Sequence, residues 1–180
     1  MCAFGTGALP PSLFERLLTC VLDASDVLAV LPRLHLPGYS SRDEERFGSY
    51  SDMSGESEAR RKRAQAQRLS KLWFCALRSL VTSLFEHAFG DKTRVEELNL
   101  SLLEKVRSCG KANMHFAAAR IYLHLWKRLG VAMVDTLNDS LQTLVELLES
   151  PDDEVEMATR EWVKAMENLT GESLDEKLKA

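Results

Sequence analysis

Hydrophobic residues recur along this chain at intervals of three and four, and in its last half the same pattern occurs twice. Laying Lys111 to Gly130 on Asp152 to Gly171, 41 positions further on, puts Met114 on Val155, Ala117 on Ala158, Ile121 on Trp162, Leu125 on Met166 and Gly130 on Gly171. The preceding stretches follow at the same shift, with Leu100 on Leu141, Leu103 on Leu144, Val106 on Leu147 and the breaker Gly110 on the breaker Pro151. Two amphipathic helices per period of about 40 to 47 residues is the spacing of HEAT and armadillo arrays. Residues 93–180 are therefore expected to form two HEAT-like helix pairs with a C-terminal cap. The fold class that follows is all-α, a HEAT/armadillo-like α-α superhelix of antiparallel helix pairs.

Within the repeat, Thr93–Arg107 carries Val95, Leu98, Leu102, Leu103 and Val106 inward, and Met114–Leu129 carries Met114, Ala117, Ala118, Ile121, Leu125 and Leu129. The second pair begins near Asp135 and Thr136, facing Leu137, Leu141, Leu144, Val145 and Leu148 to the core. Ser150-Pro151-Asp152-Asp153-Glu154 reads as a helix start, with Ser150 as cap, Pro151 in the first turn and acids at the positive end of the dipole. Upstream, Ser12–Leu31 has an apolar stripe that reads as one amphipathic helix, with a break near Asp23–Asp26 as the alternative, so residues 1–32 are assigned an N-terminal amphipathic helix or helices. Residues 33–58 are rich in Pro, Gly, Ser and charge without aliphatic periodicity, which predicts a flexible loop or linker. Residues 59–92 are read as a helix, basic first and then apolar at Leu69, Leu72, Trp73, Ala76, Leu80, Leu84 and Phe85, packed on the repeats and ended by Gly90. No segment alternates as a half-buried strand does.

Composition narrows the function classes. A chain of 180 residues, 45% hydrophobic and 28% charged, can bury an ordinary core, and its net charge of −4 leaves any basic surface local. Cys2, Cys20, Cys75 and Cys109 are scattered without a C-x-x-C pair, which suggests reduced and mostly buried thiols in cytosol or nucleus. Glu15, Arg16, Asp23 and Asp26 interrupt the N-terminal apolar stretch, so it reads as neither a signal peptide nor a membrane span. The N-x-[ST] matches at Asn99, Asn138 and Asn168 sit in or beside helical patterns and read as chance. His35, His87, His115 and His124 fall into no metal-ligand spacing with a cysteine or paired carboxylates, and neither a phosphate-binding nor a nucleophile-elbow motif is present. A non-enzyme is expected, with no cofactor, no small-molecule substrate and no membrane.

From Leu98 to Leu178 the run LNLSLLEKVRSCGKANMHFAAARIYLHLWKRLG followed by TLNDSLQTLVELLESPDDEVEMATREWVKAMENLTGESLDEKL resembles the C-terminal domain of the large HEAT-repeat scaffold of the nucleolar small-subunit processome. The quoted features are Leu144-Val145-Glu146-Leu147-Leu148-Glu149, the acidic turn with Glu154-Val155-Glu156, and the tail Gly171-Glu172-Ser173-Leu174-Asp175. The chain departs from the family in its shortness, and the part before about Thr93 has no counterpart in the family pattern. The resemblance implies a non-catalytic scaffold of ribosome biogenesis in the nucleus and nucleolus. Its partners would be other ribosome-biogenesis proteins, with pre-ribosomal or small nucleolar RNA touched through phosphates. An unrelated HEAT-type adaptor that binds a peptide or helix of a partner is the alternative.

Two clusters are candidates for contact. Arg60, Arg61, Lys62 and Arg63, extended by Arg68 and Lys71, form either an RNA-phosphate or nuclear-import element or simply a solvated helix start. Arg120, His124, Lys127 and Arg128 are expected on one exposed stripe, as a partner surface or as a solvated face. Trp126 lies off the main apolar stripe and reads as an interface anchor or as packing between repeats, while Trp73 and Trp162 read as core.

Overall fold

The computed structural model describes residues 10–32, 55–174 and 177–178. Among them are six α-helices and one 3₁₀ segment, and no strand: α1 Pro11–Val30, α2 Gly55–Ala88, α3 Lys92–Cys109, α4 Ala112–Leu129, the 3₁₀ segment Gly130–Thr136, α5 Leu137–Leu148 and α6 Asp153–Thr170. The protein is all-α, a helical repeat. Of the linker expected over residues 33–58, 33–54 lie outside the described residues, and α2 already begins at Gly55.

The 41-residue shift reappears in the backbone. α4 and α6 are each 18 residues long, and Ala112 and Leu129 map onto Asp153 and Thr170 at that same shift. Gly130 and Gly171 follow them at φ 57° and 72°, a left-handed region that costs glycine nothing and a residue with Cβ about 1 kcal/mol or more. The equivalent pairs Met114/Val155, Ala117/Ala158, Ile121/Trp162 and Leu125/Met166 are all buried. α4 packs most extensively on α6, α3 meets α5, and so like helices of successive pairs stack. One contact makes this plain: Arg120 Nη1 donates to Glu161 Oε2 at 2.8 Å, and the two residues occupy the same position of successive repeats.

The second copy departs from the first where the chain enters it. α3 runs 18 residues, whereas α5 runs 12 and is preceded by the 3₁₀ segment. Met133 and Thr136 are buried there, and Thr136 Oγ1 donates to Met133 O at 2.7 Å, a local bond that favours the tighter turn over an α-helical one. Ser140, Thr143, Leu144 and Leu147 then face the core, while Leu141, Val145 and Leu148 are only partly covered. Leu100, which falls on Leu141 at the shift, is exposed. Its helix presents Leu98, Asn99, Leu102, Leu103 and Val106 inward, and Leu100 falls on the opposite side of that stripe.

Three further expectations are corrected. α6 is capped by Asp152, whose Oδ1 accepts from Glu154 N at 3.1 Å and Val155 N at 3.2 Å. Ser150 lies outside the helix, its Oγ accepting from Asp152 N at 3.3 Å. Of the two readings of the N-terminal segment, the single helix is the one found: α1 is unbroken at Asp23–Asp26, because both acids are exposed and the buried positions Val21 and Ser25 keep helical spacing between them. On α2 the buried stripe is Ser70, Phe74, Leu77, Val81, Leu84, Phe85 and Ala88; Leu69, Leu72 and Ala76 lie on its outer side. Cys20 is exposed and Cys75 and Cys109 are half-buried, so the described thiols are free but less covered than expected.

One core runs through all six helices. α1 lies across α2, α3 and α4 and is tied by polar contacts at its C-terminal half. Trp73 Nε1 donates to Ala24 O at 2.9 Å, Asn113 Nδ2 to Leu31 O at 2.7 Å, and Lys105 Nζ pairs with Asp26 at 2.7 Å. At the other end Leu174 returns to the core, fully buried, with its N–H donating to Glu167 Oε1 at 2.9 Å.

Candidate partner and nucleic-acid surface

α2 is 34 residues long, and its first buried side chain is Ser70, so its N-terminal half projects beyond the core. Arg60, Arg61, Lys62, Arg63, Arg68 and Lys71 are all exposed on this projection. Helix continuity through Leu77 to Ala88, which the core holds, is what keeps the arm extended: straight-chain Arg, Gln and Ala positions carry it with high helix propensity and no need of tertiary contacts. No Asp or Glu occurs between Glu58 and Glu86. Among the described residues Glu58 is the carboxylate that pairs within the arm, with Lys62 Nζ at 2.9 Å.

The second cluster is not a single exposed stripe. Trp126 is 2% exposed and lies in the core, so it is no partner anchor; its Nε1–H finds no acceptor among the described residues. Arg120 is half-buried and bonded to Glu161, which makes it a repeat-to-repeat strut. Lys127 and Arg128 are exposed, and Arg128 Nη2 pairs with Glu86 of α2 at 2.7 Å. His124 lies between these charges. Its pKa is lowered by partial burial first and then by Arg78 and Arg128, against a smaller opposite pull from Glu86. The end of α4 and the last third of α2 thus lie close enough to share their charges. The sequence reading missed Arg78 and Glu86, which join the two clusters; the signal was the spacing of Arg60, Lys71 and Arg78, close to whole helical turns.

An apolar cavity of about 40 Å³ lies between the first four helices, lined by Val21, Leu77, Leu102, Met114 and Tyr122, room for about a water and far below ligand size. Tyr122 Oη donates to Asn99 Oδ1 at 3.0 Å, and burial holds its pKa well above the usual phenol value. Among the described residues no three His, Cys, Asp or Glu side chains converge as metal ligands, and no helix is long and apolar enough to cross a membrane.

Several known proteins that this chain resembles bear one name. The chain is 35% identical over 80 residues to the protein of Pyricularia oryzae named U3 small nucleolar RNA-associated protein 10, covering 44% of this chain and 4% of that protein. The chain resembles U3 small nucleolar RNA-associated protein 10. Its namesake in Schizosaccharomyces pombe is 37% identical over 76 residues, 42% of this chain and 4% of that protein. The one in Neurospora crassa is 33% identical over 91 residues, 51% of this chain and 5% of that protein. This chain therefore spans about a twentieth of the length of the relatives it matches. No protein-family model matches it, and no solved structure does.

Proposed function

We propose that this chain acts in ribosome biogenesis as a non-catalytic scaffold segment of the small-subunit processome, supporting the processing of small-subunit pre-ribosomal RNA. In this reading it corresponds to the C-terminal region of U3 small nucleolar RNA-associated protein 10, and it works in the nucleolus. The observation that carries the proposal is the identity of 35% over 80 residues to a relative named for that RNA, a stretch as long as the Leu98–Leu178 run. The architecture supports it. Stacked helix pairs offer long outer surfaces that hold several proteins at once without a preformed pocket. Protein contacts fall to those helix surfaces, and RNA phosphates to the exposed cations of α2 and α4. No cofactor and no small molecule enter.

The test is recovery of RNA and protein on the tagged full-length chain, with imaging against a nucleolar marker. Nucleolar signal together with enrichment of U3 small nucleolar RNA and precursor ribosomal RNA over an unrelated helical-repeat control is expected. Diffuse signal with neither RNA enriched overturns the reading and leaves an adaptor that binds a partner's helix.

A further inference from the structure

We propose that the projecting half of α2 and the C-terminal end of α4 form one continuous cationic track that grips the backbone of an RNA helix without regard to its sequence. Arg60, Lys71 and Arg78 are separated by eleven and seven residues, close to three and two whole turns, so they line up along one edge of α2 over about 27 Å. Arg61 and Arg68, seven apart, form the neighbouring edge. The Arg61/Arg68 edge lies away from the buried stripe of Phe74, Leu77 and Val81, while the Arg60/Lys71/Arg78 edge borders it, with half-buried Arg78 over the Phe74 ring, 5.7 Å from its centroid. The track does not stop with α2. Arg128 of α4 reaches over to Glu86, two turns beyond Arg78, and its guanidinium is held there at 2.7 Å. His124, one turn before Arg128 on α4, feels the charges of Arg78, Arg128 and Glu86, in keeping with the Arg128–Glu86 pair that sets the end of α4 beside α2.

The chemistry selects the partner. Five of these six cations are arginines, whose planar forks match phosphate oxygens two at a time. The aromatic residues of α2 are covered: Phe74 and Phe85 are buried, Phe74 beneath the Arg78 guanidinium, and Trp73 is half-buried with its indole N–H committed to Ala24. A surface without stacking platforms does not suit single strands, which are held largely by base stacking on aromatics. A straight rod of cations suits a rigid, regularly charged helix, and A-form RNA is recognised largely through its backbone and shape. The choice of RNA over an acidic protein rests on the processome reading above.

The probes are two fluorescent 20-base-pair RNA hairpins of unrelated sequence and a 20-nucleotide oligouridine, titrated with the full chain between 50 and 200 mM KCl. Equal affinity for both hairpins, weaker binding of oligouridine, and a slope of log affinity on log salt of about −5 are expected for some five or six phosphates. Replacing Arg60, Arg61, Arg68 and Lys71 by Gln should weaken hairpin binding about 100-fold or more, and Arg78→Gln with Arg128→Gln about 10-fold, each lowering the slope by about one per phosphate lost. Glu86→Gln, which keeps every cation and removes a carboxylate from the track, should tighten binding, and Lys164→Gln on α6 should leave it unchanged. Far-ultraviolet circular dichroism melts accompany each variant to show that it is folded. Three outcomes overturn the track: oligouridine bound as tightly as the hairpins, no effect of the Arg78/Arg128 pair on a folded chain, or competition by polyglutamate equal to that by RNA, which reassigns the surface to an acidic protein. Failure of hairpin binding beside intact nucleolar recovery of U3 small nucleolar RNA would sink this track and leave the scaffold reading standing.

Discussion

Asn99 is buried, and its fate depends on one neighbour. Tyr122 Oη donates to its Oδ1 at 3.0 Å, while Asn99 Nδ2 has no acceptor among the described residues. Tyr122 is in turn stacked on Trp162 with ring centroids 4.6 Å apart, so an aromatic pair from successive repeats carries a polar bond into the first of them. Tyr122→Phe keeps the stack and orphans the amide oxygen, which should cost about 1–3 kcal/mol in urea unfolding; Asn99→Leu added to it should recover part of the loss. An additive double mutant would mean that the bond contributes nothing. His124 offers a second measurement at this scale. Its folded pKa is lowered, so as pH falls through the unfolded value near 6.5 the unfolded chain takes up the proton first and stability drops. Above that value the group contributes no pH dependence. The melting temperature should therefore fall between pH 7.5 and 5.5, and His124→Gln should make that fall smaller; an identical fall would clear His124 of the effect. None of these couplings was legible from residue types alone. The sequence reads Trp162 as core but leaves Trp126 between an interface anchor and inter-repeat packing, and the packing of α4 on α6 encloses both indoles.

Elements were far more legible, for a reason that the two copies make clear. The C-terminal ends of α4 and α6 were readable because each is followed by a glycine at positive φ and buries residues at the same helical positions, whereas both starts lie two residues from where the sequence put them. Gly171 has nothing near where a Cβ would stand, so Gly171→Ala meets only backbone strain and should cost about 1 kcal/mol by denaturant titration, without moving the array. Asp152→Ala removes the acceptor for two N–H groups and should cost about 0.5–2 kcal/mol, whereas Ser150→Ala should cost less, because Ser150 accepts outside the helix. Equal losses would restore Ser150 as the cap. Both residues are good caps by type, and the sequence offered no way to choose between them. α2 failed differently. Leucines at 69 and 72 drew the stripe to the wrong side, because an arm that leaves the core has no buried face for them to mark. The 3₁₀ entry into the second copy was hidden too, since Thr136 and Ser140 act through bonds to their own backbone rather than through apolar spacing.

Taken as a whole molecule, the chain joins a readable repeat to an end that only tertiary contacts define. Stacked arrays hold together by nearest-neighbour terms, so an array of two pairs with a loosely attached end would unfold in stages. Here one core passes from Phe14 and Val21 through α2, α3 and α4 to Trp162 and Leu174, and α1 touches three helices at once. Three polar ties to Ala24, Asp26 and Leu31 hold it to α2, α3 and α4. The two ends should accordingly unfold together. Chains carrying a single tryptophan, Trp73 at the α1–α2 end or Trp162 on α6, with the other two replaced by Phe, report the two ends separately by fluorescence. Their urea transitions should coincide with each other and with the loss of helical circular dichroism. Leu84→Ala and Leu144→Ala, buried at opposite ends, should each lower the common midpoint and cost about 2–5 kcal/mol. If Trp73 instead reports an earlier transition that Leu144→Ala leaves in place, α1 and α2 are a separate unit leaning on the repeats, and the cationic track spans a joint rather than a rigid face.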